Sequence, residues 1–304
     1  MIYFTGFLNI ILFLSAGFLF RKLNLINEKE ISLITRIVIY ILLPFSALKA
    51  FMKSKVSENF LKLAFFGLSL CLLELLLIFI FLRNNKNLSK GEKSIMIVAS
   101  SSMNTGLFGL PFFETFYGNS GVATALLMDI GNSIYLFMIA YAILSIINEE
   151  KSRSLLNAAI SGLKAIVTMP YVWGLAIGIV LSTYSVTNDQ FYNFVSLAAS
   201  FTSPLVLIAT GASLTKLSIN LKKTKPIWIT KFALGIFLGY FLITILGFQG
   251  VEKKVAVLFS ALPPPFMTVI YADLFRLDVE FASQIVTFGL FLGFILFTVI
   301  VNLL

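Results

Sequence analysis

The stretch Ser94-Ile95-Met96-Ile97-Val98-Ala99-Ser100-Ser101-Ser102-Met103-Asn104-Thr105-Gly106-Leu107-Phe108-Gly109-Leu110-Pro111 decides how this chain folds. It opens as an apolar helix after Lys93, turns small and polar from Ser100 to Gly106, and resumes as an apolar segment carrying Gly109 and Pro111. Glycine and proline weaken the helical hydrogen-bond ladder, and a bilayer core has no water to replace the lost bonds. Such a break persists only where protein or a water-filled cavity surrounds it. A second break stands at Leu262-Pro263-Pro264-Pro265-Phe266. Two breaks in corresponding halves of a chain point to a substrate pathway near the bilayer midplane.

The composition agrees with a membrane setting. The 304 residues are 59% hydrophobic and 12% charged, with a mean hydropathy of +0.96. A soluble domain carries about 25% charged residues. The net charge of +9 does not indicate nucleic-acid binding, because the lysines and arginines sit in short loops between apolar runs, the pattern that orients membrane proteins. A single cysteine, Cys71, lies inside an apolar run and excludes a disulfide framework or a cysteine-based metal site. The absence of histidine excludes a histidine proton relay and most zinc sites. The first apolar run ends at Arg21-Lys22 without a small-residue cleavage site and reads as a retained span.

A span needs roughly 20 apolar residues. Ten are expected, at 3–20, 31–52, 60–82, 93–116, 121–147, 169–184, 191–214, 227–246, 254–275 and 279–303, with an amphipathic surface helix from Leu155 to Val167. The odd-numbered loops hold most of the basic residues, so they face the cytoplasm and both termini lie outside, with Lys53 and Lys55 as the dissenting loop. The halves repeat at a fixed offset: Pro44 and Pro204 lie 160 positions apart, and the same offset pairs Glu92 with Glu252, Ser100 with Ser260 and Met103-Asn104-Thr105 with Pro263-Pro264-Pro265. Five spans per half is odd, so the halves are inverted. The expected fold is an all-α membrane protein of ten transmembrane helices, a 5+5 inverted repeat with halves 1–147 and 148–304 and with helices 4 and 9 broken.

Asn104-Thr105-Gly106-Leu107-Phe108-Gly109-Leu110-Pro111 resembles the broken fourth span of the auxin efflux carrier family, which includes plant PIN-type carriers and bacterial malate or malonate permeases. Tyr40-Ile41-Leu42-Leu43-Pro44 resembles its second span, Ser203-Pro204 through Ser213-Leu214 its seventh, and Ala261-Leu262-Pro263-Pro264 its ninth. The resemblance covers nearly the whole chain, without the long central loop of many plant members. It implies a fold shared with bile acid/sodium symporters: a scaffold of spans 1, 2, 6 and 7, a transport domain of spans 3–5 and 8–10 in which the broken spans 4 and 9 cross, a homodimer built through the scaffold, and an elevator-like motion.

The residues at the breaks carry the expected binding chemistry. A helix restarting near Asn104 turns the backbone N–H groups of Thr105 and Gly106 toward a ligand at the positive end of its dipole, where carboxylate or phosphate binds. Ser102 and the Asn104 amide flank that end, and Pro263, Pro264 and Pro265 leave carbonyls that can face a cation. The alternative is a kinked helix packed by small residues.

Charges at membrane depth are expensive and functional by default. Glu74 lies within Cys71-Leu72-Leu73-Glu74-Leu75-Leu76-Leu77, with Lys49 as the expected partner, a pair that resembles one in plant auxin carriers. It is a structural ion pair, a conformational latch, or part of the ion or proton coupling, since Glu74 like Asp129 permits a proton or sodium. Asp129 and Asn132 share a helical face and offer oxygens to sodium, or Asp129 carries a proton. Alternatively both hydrogen-bond the unwound backbone of span 4. Arg36 and Lys231 are expected to snorkel from span ends, Pro44 and Pro204 to kink their helices, and Tyr271 and Asp273 either face the cavity or cap the interface.

The function expected from these residues is secondary transport of a small organic anion, a mono- or dicarboxylate, across the cell membrane, with no organic cofactor and with sodium or a proton as coupling ion. An ion-uncoupled uniporter, a channel-like facilitator and a transporter-like sensor are the rivals. An enzyme is not expected, since no nucleophile and base are paired and no phosphate-binding glycine loop is present.

Overall fold

In lipid a backbone must satisfy its own polar groups, and helices do so segment by segment. Helix is the only regular structure among the residues described by the computed structural model, which are 2–52, 58–148, 160, 163–164, 166–184, 188–214 and 219–304. In chain order the elements are α1 (Ile2–Lys22), α2 (Glu28–Met52), α3 (Phe60–Arg83), α4 (Lys90–Ser101), α5 (Thr105–Ile147), α6 (Pro170–Thr183), α7 (Asp189–Ser213), α8 (Leu221–Leu246), α9 (Gly250–Ser260), α10 (Met267–Leu274) and α11 (Val279–Leu303). Polar caps set several starts. Asn27 with Glu30 and Ser89 with Glu92 form capping boxes for α2 and α4, satisfying N-terminal donors that no helical carbonyl reaches.

Six of these helices, α2, α3, α5, α7, α8 and α11, are long and apolar enough to cross a membrane. Ten were expected, and the difference has physical causes. The fourth and ninth spans are each cut by coil, at 102–104 and 261–266, leaving short pieces. The expected fourth and fifth spans run together in α5, a 43-residue stretch interrupted at Gly118, whose φ of 59° and ψ of −150° are not helical. A positive φ suits glycine, which lacks the Cβ that other residues would bring into a clash. α6 has only 14 residues. Pro44 follows a π-helical turn at Val38–Leu42, and Pro204 follows the irregular Phe201, so each proline stands at an interruption of its helix. The expected surface helix from Leu155 to Val167 lies mostly outside the described residues, as do Lys53, Lys55, Lys151, Arg153 and Lys216.

The chain divides into two compact units. The first comprises Met1–Phe60, Thr105–Leu126 and Val167–Thr215. Its helices approach closely at small residues: a Cβ on Gly17 would lie 2.0 Å from the Ile208 carbonyl oxygen, and one on Gly211 2.0 Å from that of Leu14. Without a hydrophobic drive between helices in lipid, such backbone approach supplies the packing.

The second unit comprises Leu61–Asn104, Leu127–Ile166 and Lys216–Leu304. Its core gathers Ile78, Ile95, Met96, Ile227, Ala282 and Ile285. At one end Glu92 completes the Ser89 cap and pairs with Lys223, whose ammonium lies 5.2 Å from the centre of the Phe281 ring. Burial pushes the Glu92 carboxyl up, but hydrogen bonds from Lys223 and Ser89 outweigh it and hold the group below the usual carboxylate range. The contact therefore stabilises the fold above the ordinary glutamate pKa and loses that contribution as pH falls through the lowered value.

Candidate functional site

The two breaks meet inside the second unit. α4 ends at Ser102, whose φ of −140° and ψ of 158° are extended. The next residues leave the helix, and the Asn104 N–H donates to the Pro263 carbonyl at 3.1 Å. The Asn104 side-chain amide donates to the Pro264 carbonyl at 3.3 Å. Three successive prolines have no N–H, so this stretch brings acceptors only, and Asn104 supplies two donors to them. The Pro265 carbonyl accepts from Thr268 at the start of α10. Each of the carbonyls expected to face a cation thus accepts one hydrogen bond within the protein. α11 makes room for the break: a Cβ on Gly289 would stand 2.5 Å from Pro264 Cδ, and one on Gly293 3.1 Å from Pro263 Cβ.

A second set of bonds holds the other side of the break. Asn132 Oδ1 accepts from the Met103 N–H at 3.0 Å, and Asn132 Nδ2 donates to the Met103 carbonyl at 3.1 Å. A side-chain amide here replaces the two backbone partners that Met103 would have in a continuous helix. Asn132 Nδ2 also donates to Asp129 Oδ1 at 2.8 Å, and Cys71 Sγ lies 3.5 Å from Asn132 Oδ1 and 3.7 Å from Met103 Sδ. Of the two roles open for Asn132, cation ligand or clamp on unwound backbone, the geometry displays the clamp. No group of three or more His, Cys, Asp or Glu side chains able to hold a metal ion occurs among the described residues.

The serines before the break differ in what they offer. Ser102 Oγ donates to the Val98 carbonyl at 2.6 Å, so toward an anion it presents lone pairs rather than its proton. Ser101 Oγ donates to the Ile97 carbonyl at 2.6 Å and meets the Tyr135 hydroxyl at 2.5 Å. Ser100 Oγ is buried with no hydrogen-bond partner. In the first unit, Thr105 opens α5 with its Oγ1 likewise buried and unpartnered. An unpaired buried hydroxyl is costly, and this one stands at a helix N-terminus. Gly106 follows it, with ordinary contact space to the Leu43 side chain.

The charged residues sort differently from the expectation. Lys49 and Glu74 do not pair; each has another partner within its own unit. Glu74 Oε2 accepts from Lys231 Nζ at 3.0 Å, with both side chains 0% exposed. Lys231 was expected to snorkel from a span end, and instead it is fully buried. Its helix starts at Leu221, so Lys231 stands ten residues, about 15 Å, inside α8 rather than near its end. Lys49 donates to Glu114 Oε1 at 3.1 Å, and Ser203 Oγ donates to Glu114 Oε2 at 2.6 Å. Glu114, on the half-helix after the break, was not singled out from the sequence. Its setting, Phe112-Phe113-Glu114-Thr115-Phe116, is an apolar run with a lone acid, the same signal that marked Glu74. The Tyr271 hydroxyl donates to the Leu136 carbonyl at 2.9 Å and is buried, whereas Asp273 is exposed.

The arrangement can present helix-end and side-chain donors to an anion at a break, with ionisable side chains buried nearby. A family model described as "Membrane transport protein" matches residues 2–302. An uncharacterized transporter of Methanocaldococcus jannaschii is 21% identical over 287 residues, covering 90% of each chain. An uncharacterized transporter of Methanothermobacter thermautotrophicus is 19% identical over 281 residues, covering 91% of this chain and 90% of its own. With the match running nearly end to end, and with the broken segments that carried the family resemblance now seen to meet, this multi-pass integral membrane protein belongs to the auxin efflux carrier family of membrane transport proteins.

Proposed function

We propose that the chain is a secondary active transporter of a small organic anion of the mono- or dicarboxylate class. The observation that carries this reading is the crossing itself: two interrupted segments joined by Asn104 to Pro263 and Pro264, in an apolar protein of a transport family. Broken helices at membrane depth are tolerated where they line a substrate pathway. The substrate carboxylate docks at the start of α5, on the Thr105 hydroxyl and the N–H groups of Thr105 and Gly106, beside Asn104. Pro263 and Pro264 adjoin Asn104 at the break, with Pro265 next in sequence, and Ser102, whose proton goes to the Val98 carbonyl, borders it without a free donor.

The ten-span, inverted 5+5 arrangement belongs to this proposal. It is supported by two contacts at the repeat offset: Asn104 bonds Pro264, and Thr202 Oγ1 bonds the Leu42 carbonyl at 3.3 Å, each pair being 160 residues apart. Positions equivalent in two halves can touch only near the axis relating them. Elevator-like motion follows from the family architecture, with a homodimer through spans 1, 2, 6 and 7, and with the cell membrane as location and both termini outside. Glu114, held by Lys49 and Ser203, and Leu107, whose carbonyl accepts from Thr210 at 3.0 Å, are the contacts such motion would have to release. The latch thus moves from Glu74 to Glu114. Coupling to sodium or a proton is assigned to the carboxylates of the second unit, with Asp129 beside the Asn132 clamp as the residue pointed to by the sequence.

Thr105→Val tests the docking site, because it removes the unpartnered hydroxyl while keeping shape and leaving the Asn104 bonds intact. A hydrogen bond to a charged group is worth roughly 1.5–3 kcal/mol, so anion affinity is expected to fall about tenfold or more with no loss of thermal stability. Asn104→Ala should lower affinity similarly and also loosen the crossing. Anion affinity unchanged in both variants, measured by isothermal titration or counterflow competition, would place the substrate elsewhere.

A further inference from the structure

We infer that the cytoplasmic start of α2 is a docking site for an anionic membrane phospholipid, whose phosphodiester sits between Lys29 and Arg36. The site lies wholly within the first unit and shares no residue with the anion site at Thr105. It goes beyond the carrier reading and takes from it only the orientation, with both termini outside.

Lys29, Ser32, Leu33 and Arg36 recur at the spacing of one helical face and, with Glu28, line a groove of about 370 Å³. The acids at this end of the helix are already engaged. Glu28 Oε1 takes the Arg21 guanidinium at 3.1 Å, and Glu30 Oε2 accepts the Asn27 N–H at 2.7 Å within the capping box. The side chains of Lys29, Ser32 and Arg36 are exposed and have no partner among the described residues. The groove therefore offers two cations and a hydroxyl with no anion to answer them. A phosphodiester suits this set. The planar guanidinium takes two phosphate oxygens at once, and the ammonium adds a point charge.

Its surroundings suit a lipid rather than a soluble anion. Arg36 stands eight residues beyond Glu28, about 12 Å, into a helix long and apolar enough to cross a membrane. Leu33 and Tyr40, on the same face as Arg36, are exposed. A basic side chain at that depth lays its apolar stem along such residues and carries its charge back to the headgroups. On the other side of the groove, α1 closes in a cap with Asn24 in the left-handed region at φ 56°. The Asn24 N–H donates to the Arg21 carbonyl at 3.1 Å and the Leu25 N–H to that of Phe20 at 2.9 Å, the paired bonds of a Schellman motif. This fixed turn leaves Leu23 and Leu25 exposed. Cations flanked by exposed apolar side chains match a charged headgroup joined to acyl chains, and inorganic phosphate gains nothing from the apolar part.

The repeat supplies an internal comparison. The offset of 160 residues puts Asp189, Tyr192 and Ser196 of α7 where Lys29, Ser32 and Arg36 stand in α2. In inverted halves these two helix starts lie on opposite faces of the membrane, and it is the cytoplasmic leaflet that carries the anionic surface potential. The cations thus stand at the start that meets anionic lipid and are missing from its counterpart. A second copy of the chain is a poorer occupant. A two-fold contact through this patch would set Lys29 and Arg36 against the same cations, and like charges facing each other are unfavourable.

The test uses the full-length protein in detergent, with lipid retention followed by native mass spectrometry. Phosphatidylglycerol and cardiolipin are the anionic probes, and phosphatidylcholine is the zwitterionic control. The unaltered protein is expected to retain both anionic lipids in preference to phosphatidylcholine. K29Q and R36Q are each expected to weaken that binding about fivefold, the effect of one basic residue at an anionic surface, and K29Q/R36Q about 25-fold. K22Q, at the same end of the first unit but outside the groove, is expected to leave it nearly unchanged. Phosphatidylglycerol should raise the thermal midpoint of the unaltered protein and not that of K29Q/R36Q, while the two proteins melt alike without lipid, which separates lost binding from misfolding. Equal retention of phosphatidylcholine would overturn the inference, as would undiminished binding by K29Q/R36Q or an equal loss in K22Q. Displacement of the lipid by inorganic phosphate at matched concentration would reassign the groove to a soluble anion. A dimer that dissociates in K29Q/R36Q with lipid binding unaltered would reassign it to a second copy. None of these results touches the carrier reading, which stands or falls on anion flux.

Discussion

Lys231→Met is expected to destabilise the protein by about 3–5 kcal/mol, because it removes one partner of a buried pair and leaves the Glu74 carboxylate without compensation. Both side chains are fully buried, and Glu74 Oε1 already lacks a partner. Methionine fills most of the lysine stem's volume, so the loss is electrostatic rather than a cavity. The thermal midpoint in detergent should fall sharply for the single variant. It should recover most of the way in E74Q/K231M, because residues in direct contact couple strongly and a neutral pair has no charge to strand. Equal midpoints for the single variant and the unaltered protein would mean that the pair is not formed.

Asn132→Ala is expected to have an effect of similar size by a different route. Asn132 answers both the N–H and the carbonyl of Met103 at the point where α4 has ended. Alanine leaves two buried backbone groups unsatisfied, at roughly 1–3 kcal/mol each, or about 2–6 kcal/mol together. Asp129 loses its contact with the Asn132 amide as well. Hydrogen exchange in lipid nanodiscs should show the Met103 and Asn104 amides losing protection, together with a lower thermal midpoint. Unchanged protection at Met103 would show that the break is held by something other than this amide.

These two residues also mark where the sequence was legible and where it was not. The breaks themselves were readable, because a run of serines, an asparagine and a glycine at membrane depth, and three consecutive prolines, each conflict with a continuous helix in any tertiary setting. Their correspondence was readable from the shared offset of 160 residues, and their meeting at Asn104 and Pro264 was implied by the family resemblance. Asn132 as a clamp was one of two readings open from its spacing to Asp129, since an amide suits a cation and a backbone equally well. Lys231 was misjudged for depth. The basic Lys222, Lys223 and Lys225 and then Pro226 make the span look as if it starts at 227, whereas the helix begins at Leu221 and continues through Pro226. The partners of Lys49 and Glu74 were not readable, because they depend on which helices pack together. Both acids sit in apolar runs of the same appearance, and only the fold gives Glu114 to Lys49 and Lys231 to Glu74.

The central claim is that this family member carries organic anions through the crossing rather than conducting or merely sensing them. Counterflow in proteoliposomes tests it most directly. Vesicles holding the purified protein are loaded with an unlabelled mono- or dicarboxylate, and uptake of trace labelled anion is followed over a range of external concentrations. The account predicts saturable uptake, accelerated by anion on the opposite side and weakened in Thr105→Val, because a single alternating site must be emptied and refilled in each cycle. Flux that rises linearly with concentration and ignores the anion inside would contradict it, since that is the behaviour of an open pore.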